Sequence, residues 1–435
     1  MKSLIIKDVL KKLDGFLLCG DENESLDSFS INSKNIKSND IFIGLKGKNI
    51  DGSVYYLEAL ENGAKGCILN KSNKINKVDN KFIIIVNDTI KALETLAAIK
   101  RELYDIPVIA ITGSFGKTST KDMIYEVLNK KYNVLKTEGN YNNNIGLSLT
   151  ILKLNNNDIL LLEMGMNNFN EIRLLSNISR PTIGIITNIG TSHIGNLGSR
   201  DNILKAKLEI LDYLNGILII NNDNDLLHNL NGYVTVGINN KSDIMAKNII
   251  IKDNTIIFDY NDEKYILYNV PYGYIYNALF SIYIAKLFKV PYQDIYNSLI
   301  NYKNSSGRNE IIYLKKITII NDCYNSSIES LEESIKNLQK YNKRKIVVIG
   351  DILELGSYSN SIHKKINDII SSNKVDIVIT IGEETKVIKS NHFSNNIDAY
   401  NYLISIIKEG DILLLKASHK MNFELIVDKL KKYYK

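Results

Sequence analysis

The sequence predicts an α/β protein of three units: a small α/β module, a central parallel-sheet domain built on a phosphate loop, and a third, dinucleotide-fold-like α/β domain. Three observations predict it. The chain has 435 residues, and at roughly 150 residues per domain that length accommodates about three separate cores. Short β-branched apolar runs alternate with helical patterns along most of it, the mark of a sheet wound with helices. The stretch Val108-Ile-Ala-Ile-Thr-Gly-Ser-Phe-Gly-Lys-Thr-Ser-Thr-Lys121 then reads as strand, phosphate loop and helix.

The first unit, residues 1–85, opens on MKSLIIKDVLKKLDG, which has the apolar spacing of an amphipathic helix. Strand-like residues around Asn39-Asp-Ile-Phe-Ile-Gly-Leu-Lys-Gly47 follow, then Asp51-Gly52, a helix from Val54 to Asn62 and a second strand through Gly63-Ala-Lys-Gly-Cys-Ile-Leu69. Strand KFIIIV ends this part, and helix Thr89 to Leu103 leads to a connection at Pro107. The second unit, residues 86–306, carries strands at Val108–Thr112, Asp158–Glu163, Ile183–Asn188 and Gly216–Asn221, shorter strands at Tyr233–Val236, Thr255–Tyr260 and Tyr265–Asn269, and a helix from Tyr276 to Leu287. The third, residues 307–435, restarts the alternation with strands at Ile317–Asp322, Lys345–Gly350, Val375–Ile381 and Asp411–Lys416. In such sheets ligands gather at the carboxyl ends of the strands.

Composition narrows the function classes. Charged residues make up 23% and apolar residues 44% of the chain, which suits a globular protein and excludes a disordered one. No apolar run approaches the roughly 18 to 20 residues of a membrane span, so a soluble, cytoplasmic protein is expected. Cys19, Cys67 and Cys323 are too scattered for a disulfide framework or a zinc site. The net charge of +6 comes from dispersed lysines, which argues against a nucleic-acid partner and fits anionic small-molecule substrates.

Within the phosphate loop, Thr112, Gly113, Ser114, Gly116 and Ser119 surround the Lys117-Thr118 pair. Glycines let backbone N–H groups turn toward one anion, Lys117 reaches the terminal phosphates, and the Thr118 hydroxyl suits magnesium. The spacing is two residues short of GxxxxGK(S/T): Ile111 stands five residues before Gly116, and the nearest preceding glycine is Gly113. Glu163 ends an apolar strand at the same sheet edge, where it is either a magnesium ligand or a solvated strand end. His193, in Ile185-Ile-Thr-Asn-Ile-Gly-Thr-Ser-His193, is open to reading as a metal ligand, a phosphate contact or a plain loop histidine. Lys205 and Lys207 lie on a helix, ordinarily a solvated face. The loop Lys136-Thr-Glu-Gly-Asn-Tyr-Asn-Asn-Asn-Ile-Gly146 offers amide donors and acceptors, against a background of heavy Asn use throughout the chain.

Taken in order, TGSFGKTST, TEGNYNNNIG, LLEMGMNNFNEI, RPTIGIITNIGTSHIGNLGS with KAKLEI, SSGRNE, INDCYNSSIESLEESI, VVIGDILELG and LLLKASHK resemble the Mur ligase family across nearly the whole chain. The short phosphate loop is that family's form, and DILELG is similar to its dipeptide-adding type. NDIFIGLKG, DG and ENGAKG resemble the family's UDP-binding module, although Asn32-Ser33-Lys34 stands where D-S-R is usual.

The resemblance implies an ATP-dependent amide ligase that joins D-alanyl-D-alanine to UDP-N-acetylmuramoyl-tripeptide through an acyl phosphate in peptidoglycan synthesis, acting as a monomer. It implies that Lys117 holds the γ-phosphate, that Thr118 and Glu163 hold one magnesium ion, and that His193 with a carbamate on Lys207 supports a second. It places Arg308, Asn277 and Asp322 on the nucleotide, and Asn140, Asn143, Asn325, Lys416 and Ser418 toward the substrates. Lys117, His193, Lys207 and Arg308 are then the catalytic set. The chain departs from the family at Tyr274, where an adenine-side Asn is usual and a tyrosine could stack on the base; at His419, where Arg is usual; and at Asn170, where Gly is usual. Other readings are a family ligase that adds a single amino acid, a non-catalytic binder of UDP-peptide or ATP, and a generic phosphate-loop ATPase or kinase.

Overall fold

The computed structural model describes residues 2–71, 75–252 and 254–435. The central sheet has seven parallel strands in the order Ile244–Met245, Val234–Gly237, Ile217–Asn221, Ile183–Ile186, Val108–Thr112, Ile159–Glu163, Val134–Lys136. Both faces of the inner strand Val108–Thr112 are buried, which is why Val108–Ile111 is apolar without interruption. Ile109 and Ile111 point to the face covered by helices Lys117–Leu128 and Tyr274–Leu287. Val108 and Ala110 point to the other, covered by helices Thr89–Glu102, Asn144–Leu152 and Glu171–Ser179. A three-stranded antiparallel sheet, Lys247–Lys252, Thr255–Tyr260 and Glu263–Tyr268, is appended to this unit.

The first unit is a five-stranded sheet in the order Gly15–Cys19, Phe82–Val86, Gly66–Asn70, Ile41–Ile43, Phe29–Ser30, with its first pair antiparallel. The C-terminal unit is a six-stranded sheet in the order Glu310–Tyr313, Thr318–Asn321, Ile412–Lys416, Lys345–Gly350, Ile377–Ile381, Asn391–Phe393, parallel apart from its first pair. This is the three-unit α/β architecture expected, and its inner strands coincide with the predicted apolar runs to within two or three residues.

The N-terminus differs from expectation. Leu4–Ile5 is a short strand paired with Ser25–Leu26, and only Ile6–Val9 is helical. Local spacing favoured a longer helix, but pairing with Ser25–Leu26 takes the first residues and Gly15–Cys19 is drawn into the sheet beside Phe82–Val86, a tertiary outcome that overrides propensity. The antiparallel edge strand Glu310–Tyr313 and the hairpin strand Lys247–Lys252 were likewise missed, being short or lysine-flanked.

Candidate active site

Two glycines shape the phosphate loop. A Cβ on Gly113, whose φ is +152°, would stand 1.9 Å from the Thr187 hydroxyl. Gly116, at φ +79°, turns the chain into helix Lys117–Leu128. Asn188 braces the turn: its Oδ1 accepts from the amides of Ser114 (3.1 Å) and Phe115 (3.0 Å), and its Nδ2 donates to the Phe115 carbonyl (2.9 Å). The Gly190 amide donates to Ser114 Oγ at 2.8 Å. The first intrahelical bond runs from Thr120 N–H to Gly116 O, so the amides of the helix's first turn remain available to an anion. Lys117 curls back to donate to the Gly113 carbonyl at 2.7 Å. Burial holds its pKa below the ordinary lysine value; Glu163 opposes this and Arg308 adds to it. Thr112 ends the strand behind the loop, fully buried.

Glu163 and Thr118 meet: the Thr118 hydroxyl donates to Glu163 Oε2 at 2.7 Å, and Asn142 Nδ2 donates to Oε1 at 2.8 Å. The Thr137 hydroxyl accepts from the Glu163 amide at 3.0 Å. Asn142, which sequence reasoning left without a role, is therefore the asparagine that touches the carboxylate. Asn140 and Asn143 also line the cleft, but Asn143 Oδ1 accepts from Gly146 N–H and caps helix Asn144–Leu152. Asn170 adopts φ +69° ahead of helix Glu171–Ser179, a conformation that glycine and asparagine tolerate best.

His193 is also left-handed, at φ +65°. Its Nδ1 lies 2.6 Å from Glu354 Oε2 of the C-terminal unit, near enough for an ion pair though off the line of a hydrogen bond, and the histidine holds the Glu354 carboxyl below its usual range. On helix Arg200–Leu208 the two lysines part company: Lys205 is exposed, whereas Lys207 is 2% exposed. Burial first, and the charge of Lys117 second, push its pKa well down, which favours a neutral amine. Thr112, Gly113 and Lys207 lie behind the cleft wall and not among the residues that line it. Among the described residues no three His, Cys, Asp or Glu side chains cluster as a metal cage. The Thr118–Glu163 oxygen pair nonetheless suits a hard cation that also takes ligands from phosphates and water.

The opposite wall belongs to the C-terminal unit. Asp322 Oδ2 accepts from Lys416 Nζ (2.6 Å) and from the Ser334 hydroxyl (2.7 Å), while Oδ1 accepts from Asn309 N–H (3.0 Å). Lys416 also reaches the Asn325 carbonyl at 3.3 Å, and Ser418 Oγ accepts from Leu353 N–H at 2.9 Å. The Arg308 guanidinium lies over the Tyr324 ring at 3.9 Å, and Tyr324 stacks on His419 with centroids 5.5 Å apart. On the central side, Asn277 accepts from Thr120 at 3.0 Å, and the Tyr274 hydroxyl meets that of Ser119 at 3.2 Å. Tyr274 is 7% exposed and leans on Tyr302, so its hydroxyl braces the phosphate-loop helix.

These residues face one another across a single cleft of about 910 Å³ lined by both units. Lys117, Thr118, Glu163, His193, Asn277, Arg308, Asp322, Asn325, Lys416 and Ser418 all reach it. Sequence reasoning missed Asn142, Asn188, Glu329 and Glu333. Asn188 stood in a quoted strand-end motif and could have been flagged; the two glutamates sit in a helix pattern that gives no sign of burial.

Comparisons with known proteins agree with this fold. Residues 111–285 match the Mur ligase middle domain and residues 307–419 the Mur ligase glutamate ligase domain. The chain is 34% identical over 431 residues to the UDP-N-acetylmuramoyl-tripeptide–D-alanyl-D-alanine ligase of Bacillus subtilis (strain 168), covering 94% of each protein. It is 34% identical to the protein of the same name from Buchnera aphidicola subsp. Baizongia pistaciae, covering 97% of this chain and 96% of that one. Among solved structures, MurF from Acinetobacter baumannii superposes with a TM-score of 0.90 at 25% identity over 99% of both chains. MurF ligase from Thermotoga maritima in complex with ADP superposes with a TM-score of 0.84 at 28% identity, over 94% of this chain and 97% of that one.

Proposed function

The chain belongs to the Mur ligase family, and we propose that it joins D-alanyl-D-alanine to UDP-N-acetylmuramoyl-tripeptide at the expense of ATP, which is converted to ADP and phosphate. The observation that carries this reading is the pairing of a pre-shaped phosphate loop with a second wall that brings its own charged groups. Lys117, Thr118 and Glu163 face Arg308, Asp322 and Lys416 across one cleft. A simple phosphate-loop ATPase has no use for that second wall.

The tripeptide's terminal carboxylate attacks the γ-phosphorus of ATP, and ADP leaves. Lys117 and the free amides of the helix's first turn stabilise charge on the transferring group. The dipeptide amine then attacks the acyl phosphate carbon, phosphate departs and the amide remains. Arg308, held flat against Tyr324, adds positive charge from the C-terminal side, and enclosure between the two walls keeps water from the acyl phosphate.

Thr118 and Glu163 would hold a magnesium ion, which when bound neutralises phosphate charge. A second ion would draw on His193 and on a carbamate at Lys207. The buried, neutral-leaning amine of Lys207 supports that modification, because the uncharged form is the one that takes up carbon dioxide. In this reading residues 1–85 bind the UDP moiety, 86–306 bind ATP and 307–435 complete the cleft. The reading takes the protein as a monomer, and among the described residues no helix is long and apolar enough to cross a membrane.

The test is incubation with UDP-N-acetylmuramoyl-tripeptide, ATP and either D-alanyl-D-alanine or single amino acids. Phosphate release should require both carboxylate and dipeptide; release with a single amino acid alone, or without any amine, defeats the proposal. For Lys207, activity of the wild-type protein should fall in carbon-dioxide-free buffer and return with bicarbonate. Full activity of Lys207→Ala in that buffer would eliminate the carbamate.

A further inference from the structure

Helix Ile328–Asn337 belongs to the C-terminal unit, but two of its side chains end on the central one. Ser327 and Ser330 form a capping box that fixes where the helix starts. Glu329 and Glu333, four residues apart, therefore share a face. Glu329 accepts from the Thr191 amide at 2.8 Å and the Thr191 hydroxyl at 3.1 Å. Glu333 accepts from the Gly273 amide at 2.9 Å. The first contact lies on the loop after strand Ile183–Ile186; the second lies at the start of helix Tyr274–Leu287.

Each carboxylate also rests on a glycine. A Cβ at Gly190 would stand 3.0 Å from the Glu329 carboxyl, and a Cβ at Gly273 only 2.0 Å from Glu333 Oε1. Gly273 has φ −61°, a conformation open to any residue, so its backbone does not require glycine. What an added Cβ would displace is the carboxylate lying against it.

We infer that Glu329 and Glu333 are positioning residues: seated on Gly190 and Gly273, they hold the C-terminal wall, with Asp322 and Lys416, at its working distance from Lys117. Neither glutamate reacts. The two seats lie on different loops, so together they fix the tilt of the wall as well as its approach. The consequence for catalysis rests on the ligase reading, whereas the docking itself does not.

A cycle of Glu333→Ala, Gly273→Ala and the double variant tests the second seat. Each single change should lower kcat/KM for ligation about tenfold, the scale expected for losing a hydrogen bond to a charged group. The double variant should be no worse than either single, because both changes remove one contact. Glu333→Gln keeps an acceptor oxygen and should retain most of the activity. Hydrogen–deuterium exchange reads the docking directly: peptides containing Gly273 should exchange faster in Glu333→Ala, and those containing Thr191 faster in Glu329→Ala. Unchanged exchange at Gly273, or losses that add in the double variant, overturns the inference. Faster exchange in a protein whose wild type makes no amide product would leave the docking intact and remove only its catalytic consequence.

Discussion

The two walls of the cleft are built on different principles. On the central side the anion site is backbone: two adjacent loops, braced by Asn188 and by the Ser114–Gly190 contact, present the first turn of one helix. Its shape is set within one sheet and needs no partner. On the C-terminal side the working groups are long side chains held by other side chains, Lys416 by Asp322 and Arg308 by Tyr324 and His419. That wall meets the central loops through Glu329, Glu333 and the Glu354–His193 pair, and through backbone and tyrosine contacts of Gly195 with Glu354 and of Gly198 with Tyr358. One wall is pre-formed and the other assembled, so damage to the first should appear in chemistry and damage to the second in stability and docking.

The largest effect should follow Lys117→Ala. It deletes a flexible cation of the pre-formed wall, and losing such electrostatic stabilisation costs on the order of 10³-fold or more in kcat. Folding should not suffer, because burial already disfavours the charged form of Lys117. Phosphate release and a melting curve on the same sample check both halves. Near-normal turnover would remove the role assigned to the loop.

Lys416→Ala should act the other way round. Lys416 is 2% exposed and pairs with an Asp322 side chain that is itself nearly buried, so its removal leaves a carboxylate without its charge partner. Breaking such a pair typically costs about 3–5 kcal/mol, visible as a lower Tm before any assay. Replacing both partners with neutral residues of similar volume, Lys416→Met with Asp322→Asn, should recover much of that stability without recovering activity. Recovery of activity in the double variant would mean that the pair serves only as architecture.

The same difference explains what could be read from the sequence. Lys117, Thr118 and Glu163 were legible because a parallel sheet brings strand ends to one edge, so local spacing alone places them together. Asp322, Lys416 and Arg308 could be placed only through family resemblance, since their neighbours are distant in the chain. Glu329 and Glu333 were not legible at all: a glutamate in an amphipathic helix reads as solvent-facing, and only contact with the central unit gives these two half-buried side chains their partners. Tyr274 was read as a ring that could stack on a base; its hydroxyl contact with Ser119, which braces the phosphate-loop helix, was not legible. The first fifteen residues show the converse failure, because their helical spacing yields to strand pairing with Ser25–Leu26.

The smallest effect sharpens the contrast most, because it separates the charge of a docking group from its contact. Burial first, and the neighbouring Asp322 second, push the Glu333 carboxyl above its ordinary 4.5; the Gly273 amide, Lys416 and Lys336 pull it back only in part. Folded protein therefore holds this proton more tightly than the unfolded chain. Its contribution to stability is complete below pH 4.5 and is lost as pH rises through the raised value. Glu333→Gln keeps an oxygen on Gly273 without the charge, so near neutral pH it should melt slightly higher than wild type, by less than either change above. The gap should close as pH falls toward 4.5, while exchange at Gly273 stays as slow as in wild type. A gap that persists unchanged at low pH would mean that the carboxyl does not titrate in this setting, and the seat on Gly273 would then owe nothing to the charge that the C-terminal wall brings to it.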